Sequence, residues 1–177
     1  MKRSLLSFAL GLLLAACATV PRSVELSQQQ IESALARKMP YESRIAELFQ
    51  VKVSSPRLTL LPDSNRLRLD FTVEATDRIV RRAVQGDLAV SFSLRYEPSD
   101  TSLRATGVRV ERFDLQGVPD QWRAMLQGAG MLAGEQLVEG TVLHRFTPEQ
   151  VSRAGGLTPG DIRVTSRGVR VELVPPR

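Results

Sequence analysis

The chain has 177 residues, a formal net charge of +5, 42% hydrophobic and 5% aromatic residues, one cysteine and one histidine. A single thiol permits no internal disulfide framework, one histidine and one cysteine give zinc no credible ligand set, and few aromatics argue against a nucleic-acid surface. The length suits one domain, which buries on the order of 70% of the surface its unfolded chain exposes.

At the N-terminus Lys2 and Arg3 precede an apolar run from Leu5 to Leu14, and the small residues Ala15 and Ala16 lead into Cys17. That is the layout of an export signal. The run falls short of the about 20 apolar residues a membrane span needs. Ala16-Cys17-Ala18 offers an ordinary A-x-A cleavage site. Leu14-Ala15-Ala16-Cys17 resembles the lipobox of bacterial lipoproteins, and that reading also explains why the chain's sole cysteine stands at this offset. It makes Cys17 the acylated first residue of the mature chain. By the same resemblance Ala18, not being aspartate, implies transfer to the periplasmic face of the outer membrane. Residues 1–16 are then a signal peptide, 17–23 the lipidated N-terminus and tether, and 24–177 a single domain. The tether carries Pro21 and reaches roughly 20 Å at most.

Ser27 with Gln30 forms a capping box, and Ile31, Ala34, Leu35 and Met39 recur at helical spacing, predicting a short amphipathic helix that ends near Pro40. The period then changes to two. A strand over "FQVKVSSPRLTLL" precedes "RLRLDFTVEA", which puts Leu67, Leu69, Phe71 and Val73 on one side. "DLAVSFSLRY" does the same with Leu88, Val90, Phe92, Leu94 and Tyr96, and "LRATGVRVERF" follows more weakly. Pro62 to Asn65 and Pro98 to Asp100 supply turn residues for an antiparallel meander, while Gly86 and Gly107 mark bulges or bends of a curved sheet. After Pro119 the helical period returns for about five turns, and "DIRVTSRGVRVELVPP" ends the chain as a strand pair expected to close the sheet.

The fold class expected is therefore α+β: a curved antiparallel sheet wrapped around a long C-terminal helix, with a short N-terminal helix. The stripe Trp122, Met125, Leu126, Ala129, Leu132 and Ala133 is expected to face a concave side formed by Leu69, Phe71, Val90, Phe92 and Leu94. Alanines and glycines on the helix leave room there for an acyl chain; a core filled solid by these side chains is the competing expectation.

Catalytic chemistry is not indicated. His144 is placed at the end of the long helix, where it caps carbonyls, no G-x-S-x-G elbow is present, and carboxylates are scattered singly. "GAGMLAG" lacks the preceding strand and following acid of a dinucleotide loop. No enzyme activity, metal or other cofactor is expected. Between two strands, Ile79 and Val80 lie among Arg78, Arg81 and Arg82, either as an arginine-rimmed tip for lipid headgroups or as a loop tucking two aliphatics onto the core.

"SVELSQQQIESALARKM", the meander, the long helix and the closing "TPGDIRVTSRGVRVEL" together resemble the YceB-like bacterial lipoproteins. That family's fold resembles the tubular, BPI-like lipid-binding proteins, which implies a lipid or other apolar ligand between sheet and helix. Two functions stand from this: an outer-membrane-anchored module that binds such a ligand, or a non-catalytic accessory lipoprotein that docks on an envelope protein complex through its arginine-rich face. Neither involves nucleic acid.

Overall fold

The computed structural model describes residues 23–37, 39–45, 49–79 and 81–176. The signal segment, Cys17, the tether up to Arg22 and Val80 lie outside the described residues. In chain order the elements are β1 (Ser23–Ser27), α1 (Gln28–Ala36), β2 (Tyr41–Ile45), β3 (Phe49–Leu61), β4 (Arg66–Asp77), β5 (Ala83–Glu97) and β6 (Ser102–Leu115). They continue with α2 (Asp120–Val138), β7 (Val142–Arg145), α3 (Pro148–Arg153), β8 (Thr158–Thr165) and β9 (Gly168–Val174). Strands β2 to β7 form a six-stranded antiparallel meander in sequence order.

The two tight turns of the meander follow from their residues. Pro62 and Pro98 each open a single 3-10 turn, and Asn65 (φ 52°) and Thr101 (φ 50°) close them in the left-handed region. The sheet curls because its long strands carry extra residues. Ser55 and Pro56 are unmatched between the pairs Ser54↔Thr72 and Arg57↔Asp70, which β4 spans with one residue. On β6, Glu111 is the extra residue beside Ala89/Val90, and Gly107 (φ 60°) falls in the bulge opposite Ser91 to Ser93. Bulges bend the strand and increase its twist. Arg66 spans three strands at the Gly107 bulge, donating to the carbonyl oxygens of Ser91 (2.8 Å) and Gly107 (2.8 Å).

The inner face of the sheet is the expected one. Leu67, Leu69, Phe71, Val73 and Ala75 of β4 are buried, and the register sets Leu67 opposite Phe92, Leu69 opposite Val90 and Phe71 opposite Leu88. On the outer face Arg68 pairs with Asp70 at 2.8 Å and lies 3.8 Å from Glu111, part of a solvated layer of partly exposed ions.

The ends of the chain depart from expectation. The closing pair β8–β9 does not complete the large sheet; with β1 it forms a separate three-stranded sheet, ordered β1-β9-β8. The segment before the helix alternates too: Leu26 is buried between exposed Glu25 and Ser27, so this short piece is a strand on the edge of β9. The capping box forms, with the Ser27 amide donating to Gln30 Oε1 (2.8 Å) and the Gln30 amide to Ser27 Oγ (3.3 Å). Helix α1 buries Ile31, Ala34 and Leu35 as expected but stops at Ala36. Leu26, Ile31, Leu35, Val164, Val169 and Val171 join Leu67, Leu69 and Phe92 in one core, so α1 and the small sheet fill the inner face over one end of the strands. Asn65 fastens the small sheet there: its side chain donates to Ile162 O (2.9 Å) and accepts from the Val164 amide (2.7 Å).

Helix α2 is the long helix, but β7, α3, β8 and β9 follow it, and it lies over β6 and the neighbouring part of β5 without covering the whole sheet. Three further elements lay outside the sequence reading: the edge strand β2, the short helix α3, and the strand β7, which extends the sheet past β6 and carries His144.

Candidate functional site

Helix α2 meets the sheet along Leu126, Gly130, Gly134 and Val138, four buried residues at four-residue spacing. This row is a ridge of the helix surface, and its two glycines are why the helix sits so close. A Cβ on Gly130 would overlap the edge of the Phe113 ring, and one on Gly134 would lie 3.1 Å from both Leu88 Cδ1 and Val110 Cγ2. The C-terminal half of α2 is therefore drawn onto β5 and β6. Trp122 and Met125, one to two turns nearer the N-terminus, are only half-buried.

Beside that N-terminal half lies a cavity of about 240 Å³, walled by Ala75, Val84, Val118, Pro119, Trp122 and Leu126, with Asp77, Arg82 and Gln121 among its lining. A second, apolar space of about 20 Å³ lies further along the helix, under Gly130, Ala133, Gly134 and Leu137 and against Val51, Val53, Val73 and Leu88. Ala75 follows Val73 on the inner face of β4, and Leu126 precedes Gly130 by one turn of α2, so the two spaces are neighbours along one seam. The other flank of α2 has about 220 Å³ lined by the more polar set Asp114, Arg123 and Gln127 with Phe113 and Val118. A wider space of about 490 Å³ between α1 and β7 is lined by Gln29, Gln30, Ser33, Arg37, His144 and Arg145, polar groups that suit water better than an acyl chain.

The residues expected to form a groove separate into distinct groups. Trp122 and Leu126 wall the cavity and Ala133 lines the smaller space. Leu69, Phe71, Val90 and Phe92 are at most 2% exposed and belong to the solid core, with Leu94 packed against it. Met125 packs on Val118 and Leu126, and Ala129 is half-buried. Leu132 is 63% exposed and points away from the sheet. The stripe thus does not face Leu69, Phe71, Val90, Phe92 and Leu94: the glycine row sets the phase of the helix, and α1 with the small sheet occupies the far end of the strands. Ala75, Val84, Val118 and Pro119 were missed, although Val84 and Ala75 continue the period-two pattern of their strands.

At the rim, the turn joining β4 to β5 is closed by the Asp77 amide donating to Arg82 O (2.9 Å) and the Ile79 amide donating to Asp77 Oδ1 (2.7 Å). Ile79 is 75% exposed at its tip and is not tucked onto the core.

His144 lies on β7, not on the helix, and the end of α2 is instead turned by Gly140 at φ 71°. Its ring stands edge-on to Phe146 at 4.9 Å, and burial lowers its pKa, opposed by a hydrogen bond with Gln150. Among the described residues no group of three histidine, cysteine, aspartate or glutamate side chains is placed to hold a metal ion, and no helix is long and apolar enough to cross a membrane.

No protein-family model matches the chain, and no curated protein sequence matches it. Among solved structures, the crystal structure of lipopolysaccharide binding protein aligns with 86% of this chain and 49% of its own length, at 12% sequence identity and a TM-score of 0.37. The chain thus spans about half the length of that protein. A match at that distance decides neither fold nor ligand, and the cavity geometry has to carry the functional reading.

Proposed function

We propose that the chain is an outer-membrane-anchored periplasmic lipoprotein that binds a lipid or other apolar ligand between its curled sheet and α2, without catalysis. The observation that supports this is the cavity of about 240 Å³ beside the N-terminal half of α2, walled by aliphatic side chains and Trp122, with a charged rim at Asp77 and Arg82. Each methylene moved from water into such a space contributes about 0.8 kcal/mol. A lipid seated with its chain along the seam keeps its polar end at that rim. The cavity is below the roughly 300 Å³ at which pockets for drug-sized ligands begin. It therefore takes one short chain or the end of a longer one, or widens as the N-terminal half of α2 lifts from the sheet; Gly117 (φ 73°) precedes that half and supplies a pivot. Similarity of the N-terminus to a lipobox supports the anchoring and the envelope address.

Native mass spectrometry of the purified protein, together with uptake of a fluorescent fatty acid, tests the reading. Copurifying lipid or saturable uptake is the expected result. Absence of both would overturn it and favour an accessory lipoprotein whose partner is another envelope protein.

A further inference from the structure

The β4–β5 turn gathers features that neither the core nor the cavity requires. Ile79 is 75% exposed at its tip, and Arg78, Arg81 and Arg82 around it are exposed. An aliphatic side chain so placed gains nothing from folding, and within the turn Asp77 is the only carboxylate against the three guanidinium groups. Asp120, near the same end of the molecule, is held by Arg123 at 2.7 Å and does little to offset them. The turn is also the rim of the cavity: Arg82 and Asp77 line its mouth together with Trp122, a residue whose ring suits the boundary between water and hydrocarbon. Guanidinium groups bind phosphate oxygens with paired hydrogen bonds, and a neighbouring aliphatic can enter the acyl boundary below them.

We infer that this turn is a docking surface for an anionic phospholipid bilayer, which sets the mouth of the cavity at the headgroups. The inference rests on the apolar-ligand reading above and names the surface from which the ligand is taken or to which it is given. It also has a polarity. Asn65, where the small sheet containing β1 is fastened, lies at the other end of β4, at most about 40 Å away along the strand at 3.3 Å per residue. The docking turn and the start of the described chain thus belong to opposite ends of the long strands.

The test uses the full chain carrying Cys17→Ser, so that no acyl group masks the turn, and measures cosedimentation with vesicles of phosphatidylcholine alone or mixed in equal parts with phosphatidylglycerol. Stronger binding to the anionic vesicles is expected. Combined Ile79→Ser, Arg81→Asn and Arg82→Asn should lower it roughly twenty-fold, because each arginine near an anionic surface accounts for about a five-fold change. Asparagine suits the left-handed backbone of Arg81 (φ 54°), and Ile79→Ser and Arg82→Asn made singly keep the test available if the combination fails to fold. Uptake of a fluorescent fatty acid dispersed without vesicles should be unchanged in Ile79→Ser, whose side chain lies outside the cavity lining. Vesicle binding that is equal on both lipid mixtures, or unaffected by the substitutions, overturns the docking surface and leaves the cavity reading standing. Absent fatty-acid uptake in the parent chain overturns the cavity reading, while loss of anionic vesicle binding in the variants would still support the surface.

Discussion

Gly130 lies against the edge of the Phe113 ring with no room between them for a Cβ atom. Gly130→Ala should therefore destabilise the protein by about 1–2 kcal/mol, the strain of overpacking exceeding the gain of up to about 1 kcal/mol from replacing a helical glycine. In a Phe113→Ala background the clash is gone, and the same change should be neutral or stabilising. Urea unfolding of the two single variants and the double variant measures this coupling, and additive effects would show that the contact does not set the helix position.

The two neighbouring spaces under α2 should respond differently to filling. Ala133→Leu enters a space of only about 20 Å³ and is expected to cost about 1–3 kcal/mol. Val84→Phe, at a half-buried wall position, extends into about 240 Å³ and should cost less than about 1 kcal/mol while reducing fatty-acid uptake. Ala129→Leu, at a half-buried position lining neither space, should leave uptake unchanged. Unfolding midpoints and ligand titrations of the three variants decide this; reversed sensitivities would place the ligand elsewhere.

Trp122 is the chain's sole tryptophan and stands in the wall of the cavity. Displacement of water by an acyl chain should shift its emission to shorter wavelength, and titration with a non-fluorescent fatty acid should give a saturable shift. No change in emission while uptake is demonstrated independently would move the ligand to another part of the molecule.

His144 makes stability depend on pH in a defined window. Burial lowers its folded-state pKa below the ordinary value of 6.5, so the folded protein resists protonation more than the unfolded chain does. The stabilisation is complete well above pH 6.5 and declines as pH falls through 6.5 toward the folded-state pKa, because the unfolded chain then binds the proton first. His144→Gln should flatten that decline between about pH 7.5 and 5.5, on the order of one unit either side of the histidine value of 6.5. Equal pH dependence in both chains would rule the residue out as its source.

Cys17, outside the described residues, is expected to be acylated with residues 1–16 removed. Mass spectrometry of the mature N-terminus checks this, and an unmodified chain beginning at Thr19 would refute it.

Much of the meander was legible in the sequence because a strand with one buried face must alternate. Leu67, Leu69, Phe71 and Val73 had that pattern on the page, and the same residues are buried in the fold. The capping box of α1 and the proline-led turns were equally local, since the box is completed by side chains three positions apart and each turn by a backbone bond over three residues. What stayed hidden depends on contacts between distant segments. One edge of β9 pairs with β8 next to it in sequence, but the other pairs with β1, more than a hundred positions away, and strand pairing carries no local mark that selects that partner. The phase of α2 was hidden for a related reason. Large apolar residues suggested a stripe reaching Leu132, whereas the facing side is set by glycines, whose value lies in how closely Phe113, Leu88 and Val110 can approach. Periodicity reports which residues avoid water. Only the packed structure decides where two surfaces touch and where, beside Trp122 and Ala75, they leave a space between them.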